Sequence, residues 1–179
     1  AALFAACPEP DILVANNAGP PFRDFRELDR AKMIDGVIGN MIVPIELIQR
    51  AIDPMVRNKF GRIVNITSGS VKMPLAGLDL SSGARAGLTA FLGGIARSVI
   101  PHNVTINFLL PGQFDTDRLR SNNESAAKKQ GIPLEQAVAA RKAVIPAKRY
   151  GDPDEFGAAC AFLCSAHAGF ITGQNLLID

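Results

Sequence analysis

Four short apolar runs, DILVANN (11–17), GRIVNITS (61–68), NVTINFLL (103–110) and NLLID (175–179), are separated by stretches that are too long and too helical in pattern for hairpin loops. Each run is dense in Val, Ile or Leu with little polar alternation, as expected of strands covered on both faces. Strands joined by ~20–40 residues of helix cannot pair through tight turns. They require crossovers, expected right-handed, and a parallel sheet. The expected fold class is therefore α/β, a doubly wound parallel sheet with helices on both faces, forming a single domain over residues 1–179.

The intervening segments fill that plan. Residues 29–59 place Met33, Val37, Ile38, Met41, Ile45, Leu47 and Ile48 at helical spacing. Pro44 and Pro54 are expected to kink or punctuate this helix. Residues 82–100 form a second helix, ended by Pro101, whose Gly83, Ala84, Ala86, Gly87, Ala90, Gly93 and Gly94 permit very close packing. Residues 116–148 are polar and charged, with Pro133 and Pro146. They read as a helical excursion over the sheet, either a substrate lid or a solvated helix pair. In an open parallel sheet ligands bind beyond the carboxyl ends of the strands, which directs attention to the residues near 17, 68 and 110.

Composition removes several alternatives. A net charge of +2 without a basic cluster gives no footprint for nucleic acid, and one Tyr with no Trp leaves no base-stacking platform. No apolar run reaches the ~18–20 residues of a membrane span, so no membrane partner is expected. Cys7, Cys160 and Cys164 show no metal-ligand spacing and no metal is expected. Cys160 and Cys164, one helical turn apart, are either a redox pair or small core hydrophobes. The pattern suits a reducing, cytoplasmic setting. AALFAAC lacks the basic start of a signal peptide, and the absence of an initiator Met leads us to expect a piece of a longer polypeptide.

The three strand ends carry NNAG (16–19), the Ser of NITSGS (Ser68) and LPGQFDT (110–116). RYGDPDEFG (149–157) and FITGQNLLID (170–179) follow in order. Together these motifs resemble the short-chain dehydrogenase/reductase family across essentially the whole chain. The resemblance implies a Rossmann-type domain. It also implies that the family's first βαβ portion, with its glycine-rich pyrophosphate turn T-G-x-x-x-G-x-G, precedes these residues, along with the position that separates NAD from NADP.

Residue by residue, the resemblance assigns Asn17, Ala18 and Gly19 to cofactor contact through a turn where small residues allow close approach. The chain reads ILVANNAG where ILVNNAG is commoner, and the extra residue leads us to expect a bulge before the turn. Asn40 takes the place of the family's proton-relay asparagine; without the resemblance it reads as a solvent-facing helical Asn. Ser68 ends its strand where a hydroxyl can donate to a developing alkoxide; alternatively it caps a turn. Pro111, Gly112 and Thr116 form P-G-x-x-x-T, similar to the family's nicotinamide contact, with Phe114 against the ring. Thr116 is equally a good helix N-cap.

One motif departs from the family. Its acid/base Tyr, in Y-x-x-x-K, belongs thirteen residues after the catalytic Ser, which here is Ser81, and Arg85 stands where the Lys belongs. Tyr150 lies in another motif. A tyrosine has a reference pKa of ~10, and a neighbouring ammonium brings it nearer neutrality; a serine is a far weaker acid. Arg85 keeps charge and a fork for ribose hydroxyls but shuttles no proton. Lys72, Asp79 or a substrate carboxylate are candidate replacements in the proton path.

The implied function is hydride transfer between NAD or NADP and a small-molecule secondary alcohol or ketone, of the 3-oxoacyl reductase kind among others, with Ser68, Asn40, Ser81 and Arg85 as the catalytic set. The competing reading is a catalytically impaired homologue that binds nicotinamide or acts as a scaffold. A homodimer or homotetramer is implied by the family's habit of pairing its two long helices between subunits.

Overall fold

Runs of Val, Ile and Leu at 12–16, 61–66, 104–111 and 175–178 become the four strands of one sheet in the computed structural model, which describes residues 2–179. They are β1 (Ile12–Asn16), β2 (Gly61–Ile66), β3 (Val104–Pro111) and β4 (Asn175–Ile178), all parallel and in chain order across the sheet. β1 pairs with β2 residue for residue from Ile12–Arg62 to Asn16–Ile66. The expected bulge is therefore not formed. Ala15 occupies an ordinary, buried strand position opposite Asn65, so the extra residue simply lengthens the strand.

The helices are α1 (Ala2–Ala6), α2 (Arg30–Val37), α3 (Val43–Asn58), α4 (Asp79–Val99), α5 (Asp117–Gln130), α6 (Leu134–Val144) and α7 (Pro153–Cys164). Asp29 caps α2 by accepting from the Lys32 amide. A π-turn over Ile38–Ile42 joins α2 to α3, and the Val43 amide donates to Ile38 O, five residues back. Pro44 explains it. Proline has no N–H for the carbonyl of Asn40, so the helical ladder slips by one residue there. Pro54 sits inside α3 and does not punctuate it.

Leu13, Ile63, Ile106, Phe108 and Leu110 face Ile48, Ala51 and Met55 of α3 and Leu88, Leu92 and Ala96 of α4 in the main core. The opposite face carries Val64 and Leu109 against Leu163 and Phe156 of α7. Both faces are thus covered, as the uninterrupted apolar strands require. The hand of the last crossover departs from expectation. All steps move in one lateral direction, yet α3 and α4 lie on one face and α7 on the other, so the β3–β4 crossover has the hand opposite to the first two. The preference for right-handedness comes from a strand feeding directly into a helix that packs back on the sheet. Here α5 and α6 intervene before α7. Ile12 and Val14 on the α7 side of β1 remain exposed, and the outer edge of β1 is unpaired among the described residues.

Segment 116–148 folds as α5 and α6. Asn123 is buried between them, donating to the Tyr150 hydroxyl at 3.1 Å and accepting from Arg141 at 2.7 Å. The chain's one tyrosine therefore fastens this excursion and takes no place at the strand ends.

Arg62, on the α7 face of β2, is almost fully enclosed, and no sequence signal pointed to it. It donates to the carbonyls of Ser165, Gly61 and Asn103 and to Asn103 Oδ1, and its guanidinium lies 4.5 Å from the centre of the Phe60 ring. Four acceptors repay part of its desolvation without any carboxylate.

Cys160 and Cys164 are half-buried neighbours packed on the Val64–Leu109 core, in the manner of small hydrophobes. Burial, reinforced by Cys160, pushes the Cys164 thiol up to about 11, against the opposing charge of Arg62. A thiol held that high is almost wholly protonated, and so unreactive, near neutral pH. With a maleimide or disulfide reagent at pH 8, the exposed Cys7 is expected to label in the native protein and Cys164 only on unfolding. Mass mapping that found Cys164 labelled first would contradict this packing. No helix among the described residues is long and apolar enough to cross a membrane.

Candidate active site at the carboxyl ends of β1 and β2

Arg85 organises the site. It projects from the first third of α4, 7% exposed, and donates Nη1 to Ile66 O at 2.8 Å and Nη2 to Asn17 O at 3.1 Å. Its Nε donates to Ser81 Oγ at 3.3 Å, one turn back on the same helix. One guanidinium thus ties together the carboxyl ends of β1 and β2. A lysine, with a single nitrogen, could not span the three acceptors in this planar arrangement. Burial lowers the pKa of Arg85, and the charge of Arg118 lowers it further.

Gly19 completes this corner. A Cβ there would lie 3.5 Å from Arg85 Nη2, 3.6 Å from Ser81 Oγ and 3.7 Å from Arg118 Nη2. The glycine therefore leaves open a small space faced by two guanidinium groups and a hydroxyl. Ser81 accepts from Arg85, which leaves its own hydrogen free to donate into that space.

Ser68 lies two residues beyond the Ile66 carbonyl. Its Oγ accepts from the Ser70 amide at 3.1 Å and from the Ser70 hydroxyl at 2.9 Å, capping the short 3-10 turn Gly69–Val71. Both readings of Ser68 are therefore compatible, since a hydroxyl that accepts twice still has its proton to give. Ser70, buried, was not singled out from sequence; its value lies in fixing the Ser68 rotamer. Among the described residues no hydrogen bond joins Ser68 to Ser81 or Arg85. Lys72 and Asp79 are not brought to Ser68 either: both are exposed, and the Asp79 carboxylate accepts from the Gly77 amide.

Asn40 is 3% exposed, which corrects the reading of a solvent-facing residue. It lies in the π-turn, its Nδ2 donating to Gly36 O at 3.1 Å while Oδ1 is buried with no partner. The adjacent Gly39 carbonyl accepts from Asn17 Nδ2, joining the helix to the turn after β1. That link was not legible in the sequence, because it depends on the register slip at Pro44.

At the end of β3, Pro111 is the last strand residue, paired with Ile178. Gly112 is required by close approach, since a Cβ would fall 2.1 Å from Asp179 Cβ, and its amide donates to Ile178 O. Phe114 stacks edge-on to Phe156 at 5.2 Å and covers Gly151, so its ring belongs to a contact with α7. Thr116 caps α5, accepting from the Leu119 amide. Gln113, between these, carries a buried Oε1 with no partner. Ala18 sits exposed in the turn between Asn17 and Gly19.

A family model described as Enoyl-(Acyl carrier protein) reductase matches residues 1–179. The NADPH-dependent reductase BacG of Bacillus subtilis (strain 168) is 34% identical over 173 residues, covering 97% of this chain and 67% of BacG. The 3-oxoacyl-[acyl-carrier-protein] reductase FabG of Vibrio harveyi is 32% identical over 174 residues, 97% of this chain and 66% of FabG. The crystal structure of YwfH, an NADPH dependent reductase involved in bacilysin biosynthesis, superposes with a TM-score of 0.91 at 32% identity, covering 99% of this chain and 68% of that one. The chain therefore spans about two thirds of the length of these relatives.

Proposed function

We propose that this chain, which belongs to the short-chain dehydrogenase/reductase family, carries the substrate side of an oxidoreductase that interconverts a secondary alcohol and its ketone using NADP(H) or NAD(H). The observation that supports it most is the Arg85 guanidinium, bonded to Ile66 O beside the Ser68 turn and to Asn17 O beside Gly19. It gathers a hydroxyl donor, a cation and an open glycine corner at the carboxyl ends of adjacent parallel strands.

The residues fit a nicotinamide cofactor. Gly19 leaves space before a cation and a hydroxyl, and Gln113 Oε1 is an orphaned buried acceptor near the end of β3 that suits a carboxamide N–H. Asn17, Ala18, Gly19, Arg85, Pro111, Gly112 and Thr116 would hold the cofactor, and the NADPH dependence of BacG favours NADP. Phe114, turned onto Phe156, contributes support to the loop. When bound, the cofactor supplies or accepts the hydride. Ser68 donates to the substrate oxygen as negative charge grows there, and Ser70 fixes its orientation. Ser81 offers a second donor. Arg85 holds it and stabilises charge without releasing a proton. Asn40, with its free Oδ1, anchors a water that carries a proton toward the site.

The substrate class is a ketone or secondary alcohol, of which the 3-oxoacyl chain named for FabG is one example. The helical pair over 116–148 forms the substrate lid. Exposed Ile34, Val37, Ile38 and Ile42 on one side of the α2–α3 rod, with Phe91 of α4, form an apolar surface that we assign to pairing of subunits as a homodimer or homotetramer. The free cysteines fit a cytoplasmic location.

The test is oxidation of NADH and NADPH by the whole protein, as encoded, against a panel of ketones, with the reverse reaction on alcohols. Turnover supports the enzyme. The second reading, a nicotinamide-binding or scaffolding protein, is favoured by the serine at position 81; tight cofactor binding with no turnover on any substrate would establish it.

A further inference from the structure

We infer that Arg118 makes this site select the redox state of its cofactor, so that the neutral dihydronicotinamide of NADPH or NADH is held more tightly than the positively charged ring of NADP+ or NAD+. The inference rests on the nicotinamide-binding reading of the corner at Gly19 and deepens it.

The two forms of the cofactor share their phosphates, riboses and adenine. They differ by one hydride, and hence by one unit of charge on the ring. Only groups near the ring can tell them apart by charge. Ser81 marks that end of the site, because it stands where the family places the side chain that exchanges a proton with the reacting oxygen. Its Oγ would lie 3.6 Å from a Gly19 Cβ, and Arg85 Nη2 and Arg118 Nη2 come within 3.5 and 3.7 Å of the same point. Two cations therefore flank the place assigned to the ring. They act on each other, since the charge of Arg118 adds to burial in lowering the proton affinity of Arg85. Among the described residues neither has a carboxylate partner. Asp115 and Asp117, the acidic residues on either side of Thr116, are both held by Arg120. The field at the corner is left positive, and a third positive charge on the ring is opposed by it.

The two arginines differ in what else they do. Arg85 is buried and tied to Ile66 O and Asn17 O, so its removal disturbs the strand ends themselves. Arg118 is exposed and enters from α5, so its charge can be removed with the strand ends left in place. A unit charge ~8 Å from the ring alters binding about 2-fold at the dielectric of water and about 30-fold at that of a protein surface. Exposure places Arg118 toward the lower end. The preference makes hydride transfer on the protein less downhill by the same factor, and eases the departure of the oxidised cofactor. That is the behaviour of a site loaded with reduced cofactor.

The test is calorimetric titration of the whole protein, as encoded, with NADPH and with NADP+, repeated with NADH and NAD+, for wild type, Arg118→Met and Arg118→Lys. The ratio of the two dissociation constants cancels everything the two forms share, and binding of NADPH by a variant certifies its fold. Wild type is expected to hold the reduced form more tightly. Arg118→Met is expected to shrink that ratio by about 3- to 10-fold, mainly by tightening NADP+, while Arg118→Lys keeps most of it. Added salt should draw the wild-type ratio toward that of Arg118→Met. Both forms weakened by one common factor in Arg118→Met would put Arg118 on the shared phosphates and overturn the inference, as would no change in either; the cofactor reading survives both results. Failure of wild type to bind either form would remove that reading and the inference with it. A ratio that follows Arg118, with no turnover of any ketone, upholds the inference and turns the function toward the nicotinamide-binding alternative.

Discussion

Arg85→Met is expected to lower the melting temperature of the whole protein by about 6–12 °C, corresponding to about 3 kcal/mol for a chain of this size. Two effects oppose each other. Removing a buried cation that faces Arg118 relieves desolvation and repulsion, and buried charges replaced by apolar groups are often tolerated. Against that, the carbonyls of Ile66 and Asn17 stay where they are and lose their donors. An unsatisfied buried acceptor costs ~1–3 kcal/mol, and there are two of them. The carbonyls decide the sign, because Met fills the volume but donates nothing. Arg85→Lys should cost less, since one ammonium can serve one carbonyl. A calorimetric scan showing Arg85→Met as stable as wild type would mean that water already serves these carbonyls.

Ser68→Ala is expected to lower kcat by about 100- to 1,000-fold, the usual loss when a donor to a developing oxyanion is removed. The structural cost should be slight. The lost cap on the 69–71 turn is worth ~1 kcal/mol, a shift of a few degrees, and the Ser70 hydroxyl can turn to another acceptor. Steady-state kinetics beside a thermal scan separates the two. A large fall in kcat with nearly unchanged melting marks Ser68 as chemical; equal losses in both would mark it as a turn cap alone.

The strands were legible because a sheet covered on both faces needs unbroken apolar runs. Each run in the sequence holds a strand, with ends shifted by a residue or two. Asn17, Gly19, Ser68, Ser81 and Arg85 were legible because their spacing resembles a known family. What sequence could not supply was direction in space. Phe114 stood at the right place in its motif, but only packing against Phe156 and Gly151 decides where its ring points. Arg62 and Arg118 carry no local signal; one is defined by acceptors from distant loops, the other by a glycine about a hundred residues away in sequence. The sequence leads one to expect a kink or break at Pro44, whereas the missing N–H produces a slipped helical register that buries Asn40 and presents the Gly39 carbonyl to Asn17. The bulge expected before the turn does not form, because nothing opposes the regular pairing of β1 with β2.

We propose that hydride chemistry proceeds here although Ser81 stands where the family has its tyrosine. The most direct measurement is a single turnover of the whole protein with 4-deuterated NADPH and a panel of ketones, followed by mass analysis of the alcohol. Deuterium on the carbinol carbon, formed by wild type and Ser81→Ala at measurable rates and about 100- to 1,000-fold more slowly by Ser68→Ala, is the predicted result. Cofactor bound tightly while no deuterium reaches any product would contradict it.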